Sequence, residues 1–249
     1  MSRVQRISSE SRAARLAFLR RRTTVFFTFV FPLLIVVIFG ALVRTQPGGG
    51  GLFTESPVYY VPGYLAVVVL FTPLSRIGSE VARHREGNRF EKLATTPLRR
   101  WEWLVAQTAV NVGIIGVAAL LVLVLMALLT GASLVLTPTS VVLLALFVVA
   151  GVALFCGVGA LLGRIADSQD GVIAASNTLA LPLLFLSETF VPQSLLPGWL
   201  PTWLSPLTYF SRGVRAAVTG GVPLADLAVL VALAVVALAA GAWALPVTD

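Results

Sequence analysis

The chain has 249 residues, 57% of them hydrophobic and 12% charged, with a formal net charge of +7 and a mean hydropathy of +0.93. A soluble domain is about half apolar and about a quarter charged, so too few charges remain here to coat a water-facing surface. The composition excludes an ordinary soluble domain and describes an integral membrane protein, read as one membrane domain over residues 1–249.

The N-terminal stretch, Met1 to Arg22, carries seven Arg (3, 6, 12, 15, 20, 21, 22) before any apolar core begins. No small-residue cleavage site follows that core, so the stretch does not read as a cleavable signal peptide. At helical spacing Val4, Ile7, Ser11, Ala14 and Phe18 form a weakly apolar stripe, with Arg12 and Arg15 on other faces. That is the pattern of an amphipathic helix in the membrane interface. The bland alternative is a disordered basic leader that only enforces orientation.

Six apolar segments follow, at 25–43, 58–75, 104–129, 141–162, 172–190 and 224–245. A helix needs about 20 residues to cross a hydrocarbon core about 30 Å thick, so each is read as a span. Pro32 is expected to kink the first, and a Gly-rich turn, Gln46 to Gly51, follows it. Gln107 and Asn111, one turn apart in the third span, are placed to bond a neighbouring helix. Gly159 and Gly163 make a G-x-x-x-G in the fourth, a pattern that marks close helix packing. Cys156, the single Cys, reads as a packing residue. The spans show no internal repeat.

Lys and Arg counted by loop set the orientation. The N-terminus, the loop between spans two and three and the loop between spans four and five hold fifteen; the other side holds three (Arg44, Arg212, Arg215). Both termini are therefore expected in the cytoplasm, in a multi-pass protein of the plasma membrane. The basic residues lie where topology requires them, so no nucleic-acid partner is expected.

The connection from Ser187 to Pro223 is too apolar for a free loop and too rich in proline for a seventh span. Pro192, Pro197, Pro201 and Pro206 alternate with Leu and with Trp199 and Trp203. An outer re-entrant hairpin of short helices over 191–212 fits, because irregular backbone at membrane depth must be buried in protein or line a cavity. Glu188, an acid close to the membrane, is a functional candidate by default or a merely solvated group.

Catalytic chemistry finds few residues. One His and one Cys give no metal cluster, and the single Lys (Lys92) is outside any Gly-Lys-Ser/Thr phosphate loop. No catalytic, metal or cofactor residue is expected in this chain.

The longest charged segment, Val81 to Trp103, lies between spans two and three. Asn88 with Glu91 three residues on resembles a capping box, predicting a short helix from Arg89 to Ala94 with Phe90, Leu93 and Ala94 on one face. Thr96-Pro97 is expected to stop it and to begin the next helix. An ordinary solvated loop is the equal alternative.

The run Glu86-Gly87-Asn88-Arg89-Phe90-Glu91-Lys92-Leu93-Ala94-Thr95-Thr96-Pro97-Leu98 resembles the E-x-G-x-x-E-x-L-x-x-T-P-L pattern after span two of ABC-2-type permeases. Phe185-Leu186-Ser187 with Phe190-Val191-Pro192 and Leu196-Pro197-Gly198-Trp199-Leu200 is similar to the F-L-S-G-x-F-x-P and L-P-x-W-L motifs of the drug-exporter branch. Ser205-Pro206-Leu207-Thr208-Tyr209, followed by Arg212 and Arg215, resembles N-P-L-T-Y with its downstream Arg. Glu188 stands where the pattern has Gly and Ser205 where it has Asn, which touches the outer gate rather than the family.

The resemblance implies an all-α membrane protein. It would have six transmembrane helices, an interfacial helix over 1–22 (Arg12, Arg15, Phe18), a coupling helix in 84–98 and the outer hairpin. It further implies two permease copies working with two ABC ATPase subunits, which bind the ATP and Mg, to export a drug-like, lipid-like or glycan cargo. Membrane lipid would be the remaining partner. On this reading Phe90 and Leu93 are anchors in the ATPase, with Glu86, Gly87, Arg89, Glu91, Lys92 and Pro97 around them. Glu188, Pro192, Pro197, Trp199, Pro206 and Tyr209 then form the outer hairpin and gate. A channel or scaffold without ATP coupling is the alternative, and a membrane-embedded enzyme would need an acid cluster that Asp167, Asp170 and Glu188 do not supply.

Overall fold

The computed structural model describes residues 2–38, 55–131 and 134–245. They form nine α-helices and three short 3-10 turns, with no strand among the described residues. In chain order the helices are α1 (Arg3–Arg20), α2 (Arg22–Val36), α3 (Val61–Glu86), α4 (Arg89–Ala94), α5 (Arg100–Thr130), α6 (Pro138–Ile165), α7 (Gln169–Phe185), α8 (Pro206–Val218) and α9 (Leu224–Ala244). Four are long and apolar enough to cross a membrane: α3 with the turn before it, α5, α6 and α9.

The two other expected spans differ in extent. The first appears as α2, whose last turn widens through Ile38; it runs through Pro32, which is buried. The expected residues 39–43, Arg44 and the Gly-rich turn lie outside the described residues. The fifth, expected over 172–190, is α7 and ends at Phe185, three residues past Pro182, with Leu186 as its C-cap. Ser187 donates to the Leu184 carbonyl and also meets Thr189, so a side-chain-bonded turn replaces the last turn of helix.

α6 lies at the centre, packed on α9 and α3, and α3 also touches α2, α5, α7 and α8. In hydrocarbon, apolar contact between helices gains little over contact with lipid, so close approach and paired polar groups hold the bundle. Gly159 and Gly163 supply the approach. A Cβ on Gly159 would stand 2.6 Å from the Leu74 carbonyl oxygen of α3, and one on Gly163 would overlap the Gly78 carbonyl oxygen. Cys156 is fully buried in the same core.

The bundle has two unlike ends. At the basic end lie α1, α4, the start of α5 and the close of α9; at the hairpin end lie the 3-10 turns Gln193–Leu195 and Thr202–Leu204, with α8. The expected hairpin of 191–212 is thus two 3-10 turns and a 13-residue amphipathic helix that continues to Val218 and buries Leu207, Phe210, Val214 and Val218.

Candidate functional site

α3 does not stop where its apolar run ends. Ile77 and Val81 keep the buried stripe going to Glu86, and Arg83, His84 and Arg85 in the last turn suit the negative end of the helix dipole. The charged segment therefore begins inside a helix. Arg85 Nη1 donates to the carbonyls of Gly163 (3.1 Å), Arg164 (2.8 Å) and Ala166 (3.0 Å), closing the C-terminus of α6. Arg100 Nη1 does the same for Leu245 at the end of α9, at 2.6 Å. Arg83 pairs with Glu80.

α4 occupies Arg89–Ala94, the range expected, but two details of that expectation are corrected. Asn88 makes no capping bond. It sits in the left-handed region at φ 51° and ψ 32°, where it turns the chain out of α3. Asn tolerates that region better than other non-Gly residues because its short polar chain bonds locally. Phe90 does not project. It is 7% exposed, with its ring centroid 5.3 Å from His84 and 5.6 Å from Trp103. His84 and Trp103 are 5.3 Å apart, so three rings close on one another between α3, α4 and α5. Phe90 is the foot of α4 on its own chain, and Leu93 is half-buried beside it. The outward face carries Glu86, Gly87, Arg89, Glu91, Lys92 and Pro97, all exposed. A cavity of about 520 Å³ opens beneath α4, lined among others by Leu93, Leu98, Trp101 and Trp243.

Thr96-Pro97 does not begin α5 either. Thr96 Oγ1 donates to the Leu93 carbonyl, closing α4. α5 starts at Arg100, and the Glu102 carboxylate accepts from the Arg99 N–H at 2.9 Å. The same carboxylate takes both arms of Arg6, Nε at 3.0 Å and Nη2 at 2.6 Å. α1 is further tied to α5 by Gln107 Nε2 donating to Glu10 Oε1 at 3.1 Å. Burial holds the Glu10 carboxyl above its ordinary pKa, and the Gln107 bond partly offsets that. Phe18 and Ala14 pack on Val110 and Ile114 of α5 and Ser11 donates to the Ala106 carbonyl at 3.4 Å, so the expected stripe faces protein from Ser11 onward. Val4 stays 76% exposed, and Arg12 and Arg15 point away from the contact.

Beside this clamp, a cavity of about 440 Å³ lies between α2, α3 and α7. Its walls include Arg21, Phe27, Phe31, Phe71, Arg76 and Glu80. Asn111 and Gln107, expected to bond neighbouring helices, do so: Arg76 Nη1 donates to Asn111 Oδ1 at 2.9 Å, and Gln107 reaches α1.

At the hairpin end Glu188 is 4% exposed and receives both arms of Arg212, Nε to Oε2 at 2.8 Å. Arg215 donates to the Glu188 carbonyl at 2.9 Å and stacks on Tyr59, 3.8 Å from ring centroid. Two Arg that break the charge asymmetry are thus engaged within the protein. Pro192 is buried, Pro206 begins α8, Tyr209 donates to the Trp203 carbonyl at 3.0 Å, and Pro197 and Trp199 are exposed. Sequence reasoning did not find the Glu188–Arg212 pair: the two residues are 24 apart, and no periodicity joins them.

Residues 7–219 match the family described as ABC-2 type transporter. The chain belongs to that family. Its all-helical architecture and apolar spans agree with the membrane permease component of an ABC transporter. Comparison with curated proteins gave no match.

Proposed function

We propose that this ABC-2 permease is the membrane half of an ATP-driven exporter, and that α4 is where a separate ABC ATPase takes hold. The observation that carries the reading is the build of α4. A six-residue helix is too short to be stable alone, yet this one is fixed to the body by Phe90 and presents Arg89, Glu91 and Lys92 outward. A docked element with a charged outer face suits the polar rim of an interface. In this reading the basic end is cytoplasmic, α2 and α7 complete six crossings, and two permease copies meet two ATPase subunits in the plasma membrane. The groove between α2, α3 and α7 then faces the cargo path, with the outer hairpin closing the far end. ATP and Mg belong to the partner.

The test is co-purification of the tagged permease with ABC ATPases from the same cells, followed by ATP-driven uptake into inverted vesicles. Partner-dependent ATPase activity and cargo uptake are expected. A channel or scaffold would conduct or assemble with no ATPase bound, and that result would replace the proposal.

A further inference from the structure

The inference deepens the reading of the groove between α2, α3 and α7, and rests on its being the cargo face. Every other partly buried Arg in the described structure meets an acid or backbone carbonyl oxygen, Arg100 that of Leu245. Arg6 has Glu102, Arg83 has Glu80, and Arg212 has Glu188. Arg85 has three carbonyls, and Arg215 has those of Tyr59 and Glu188. Arg76 differs. Among the described residues it bonds only the neutral Asn111 Oδ1, with Phe18 4.9 Å beneath its guanidinium carbon. Glu80, one turn further along α3, has its carboxylate on Arg83, with Arg21 at 3.9 Å, while the His84 ring bonds the Glu80 backbone carbonyl. An Arg side chain does not deprotonate, and its five N–H donors form a planar fork suited to carboxylate, sulfonate or phosphate. Arg76 lines the cavity together with Phe27, Phe31 and Phe71, of which Phe27 is 61% and Phe31 49% exposed.

We propose that this groove selects anionic amphipaths: Arg76 receives the acid group, and Phe27, Phe31 and Phe71 receive the apolar body. Arg21 on the same wall adds positive charge, while Glu80 stays turned to Arg83 and Arg21. The acid group belongs either to a soluble amphipath or to an anionic phospholipid.

The experiment uses the full chain in phosphatidylcholine nanodiscs, with empty discs subtracted. The probes are 1-anilinonaphthalene-8-sulfonate and uncharged N-phenyl-1-naphthylamine, which share one ring system. The sulfonate is expected to bind on the order of tenfold more tightly, as for a charge-assisted hydrogen bond. Arg76→Gln removes the preference and Arg76→Lys keeps part of it. Thr72→Glu leaves Arg76 in place but offers it an internal carboxylate one turn away, and also removes the preference. Phe31→Ala weakens both probes alike. Equal binding of the two probes to the unmodified chain, or a preference that survives either Arg76→Gln or Thr72→Glu, overturns the proposal. Phosphatidylglycerol in the discs distinguishes the sources: competition that Arg76→Gln abolishes marks a lipid acid, its absence a soluble one, and either supports the site. Vesicles that export the probes without discrimination by Arg76 refute this inference and leave the exporter reading standing. Discrimination in binding with no ATP-driven export does the reverse.

Discussion

Truncating Phe90 to Ala is expected to release α4 without unfolding the bundle. In a packed interior Phe→Ala costs about 3–5 kcal/mol, the larger values where neighbours cannot collapse into the space. Phe90 lies at the edge of the core, with its weight resting on His84 and Trp103, so the low end applies. A loss of about 3 kcal/mol raises the population of undocked α4 roughly a hundredfold. A six-residue helix has little stability of its own to offset it, and half-buried Leu93 is the other apolar contact. Hydrogen exchange of peptides spanning 86–98 in nanodiscs reads this directly: amides of Arg89–Ala94 lose protection while those of α6 keep theirs. The charge reversal Arg89→Glu with Lys92→Glu touches only exposed groups, so protection stays and ATPase co-purification falls. Unchanged protection in Phe90→Ala, together with loss of the partner, would show that Phe90 faces outward, and the assignment of α4's two faces would be wrong.

Gly163→Ala is expected to cost at least about 1–3 kcal/mol by overpacking, because its Cβ meets the rigid backbone of α3. Gly113→Ala, with nothing within 4 Å of the new Cβ, is expected to stabilise α5 by roughly 0.5–1 kcal/mol; thermal unfolding in detergent compares them, and similar melting temperatures would remove the close-crossing account. Glu102→Gln loosens α1 by taking the charge opposite Arg6, so trypsin cuts faster at the exposed Arg12 and Arg15. An unchanged cleavage rate would mean that the apolar contact at Phe18 alone holds α1. Glu10 has its folded pKa raised by burial, so its contribution to α1 docking is full in acid and is lost as pH rises through that raised value. Glu10→Gln is therefore expected to slow cleavage at neutral pH and flatten its rise with pH; faster cleavage in the variant would reverse the sign.

What the sequence made legible was what depends on local period and composition. The membrane class, the helix of 89–94, α9, the Gly159–Gly163 crossing and the bonding of Gln107 and Asn111 all follow from spacing on one helix. What it hid depends on pairs brought together by the fold. Phe90 reads as a projecting anchor because the short helix that carries it is flanked by charges; His84 and Trp103, six and thirteen residues away, cover it. Seven basic residues between Arg76 and Arg100 read as topology signals. Yet Arg85 and Arg100 close the ends of α6 and α9, Arg83 holds Glu80, and Arg76 turns into a groove. α8 was obscured by the prolines before it, although Pro206 is the favoured first residue of a helix.

α3 gives these separate features one mechanical line. At about 1.5 Å per residue its 26 residues reach about 39 Å, the whole depth of a hydrocarbon core. Its last turn carries His84 against Phe90 of α4, its middle turns place Arg76 in the groove, and Tyr59 just before it stacks on Arg215 beside the Glu188 pair. Its contact with α6 runs through glycines against backbone, and Pro73, which has no N–H to donate, interrupts its ladder in mid-helix. In the exporter reading a push on α4 enters α3 at its last turn and reaches Arg76 on the same side of Pro73. In that reading the movement changes what Arg76 faces, and Pro73 is where α3 bends between the groove and the Arg215–Tyr59 stack.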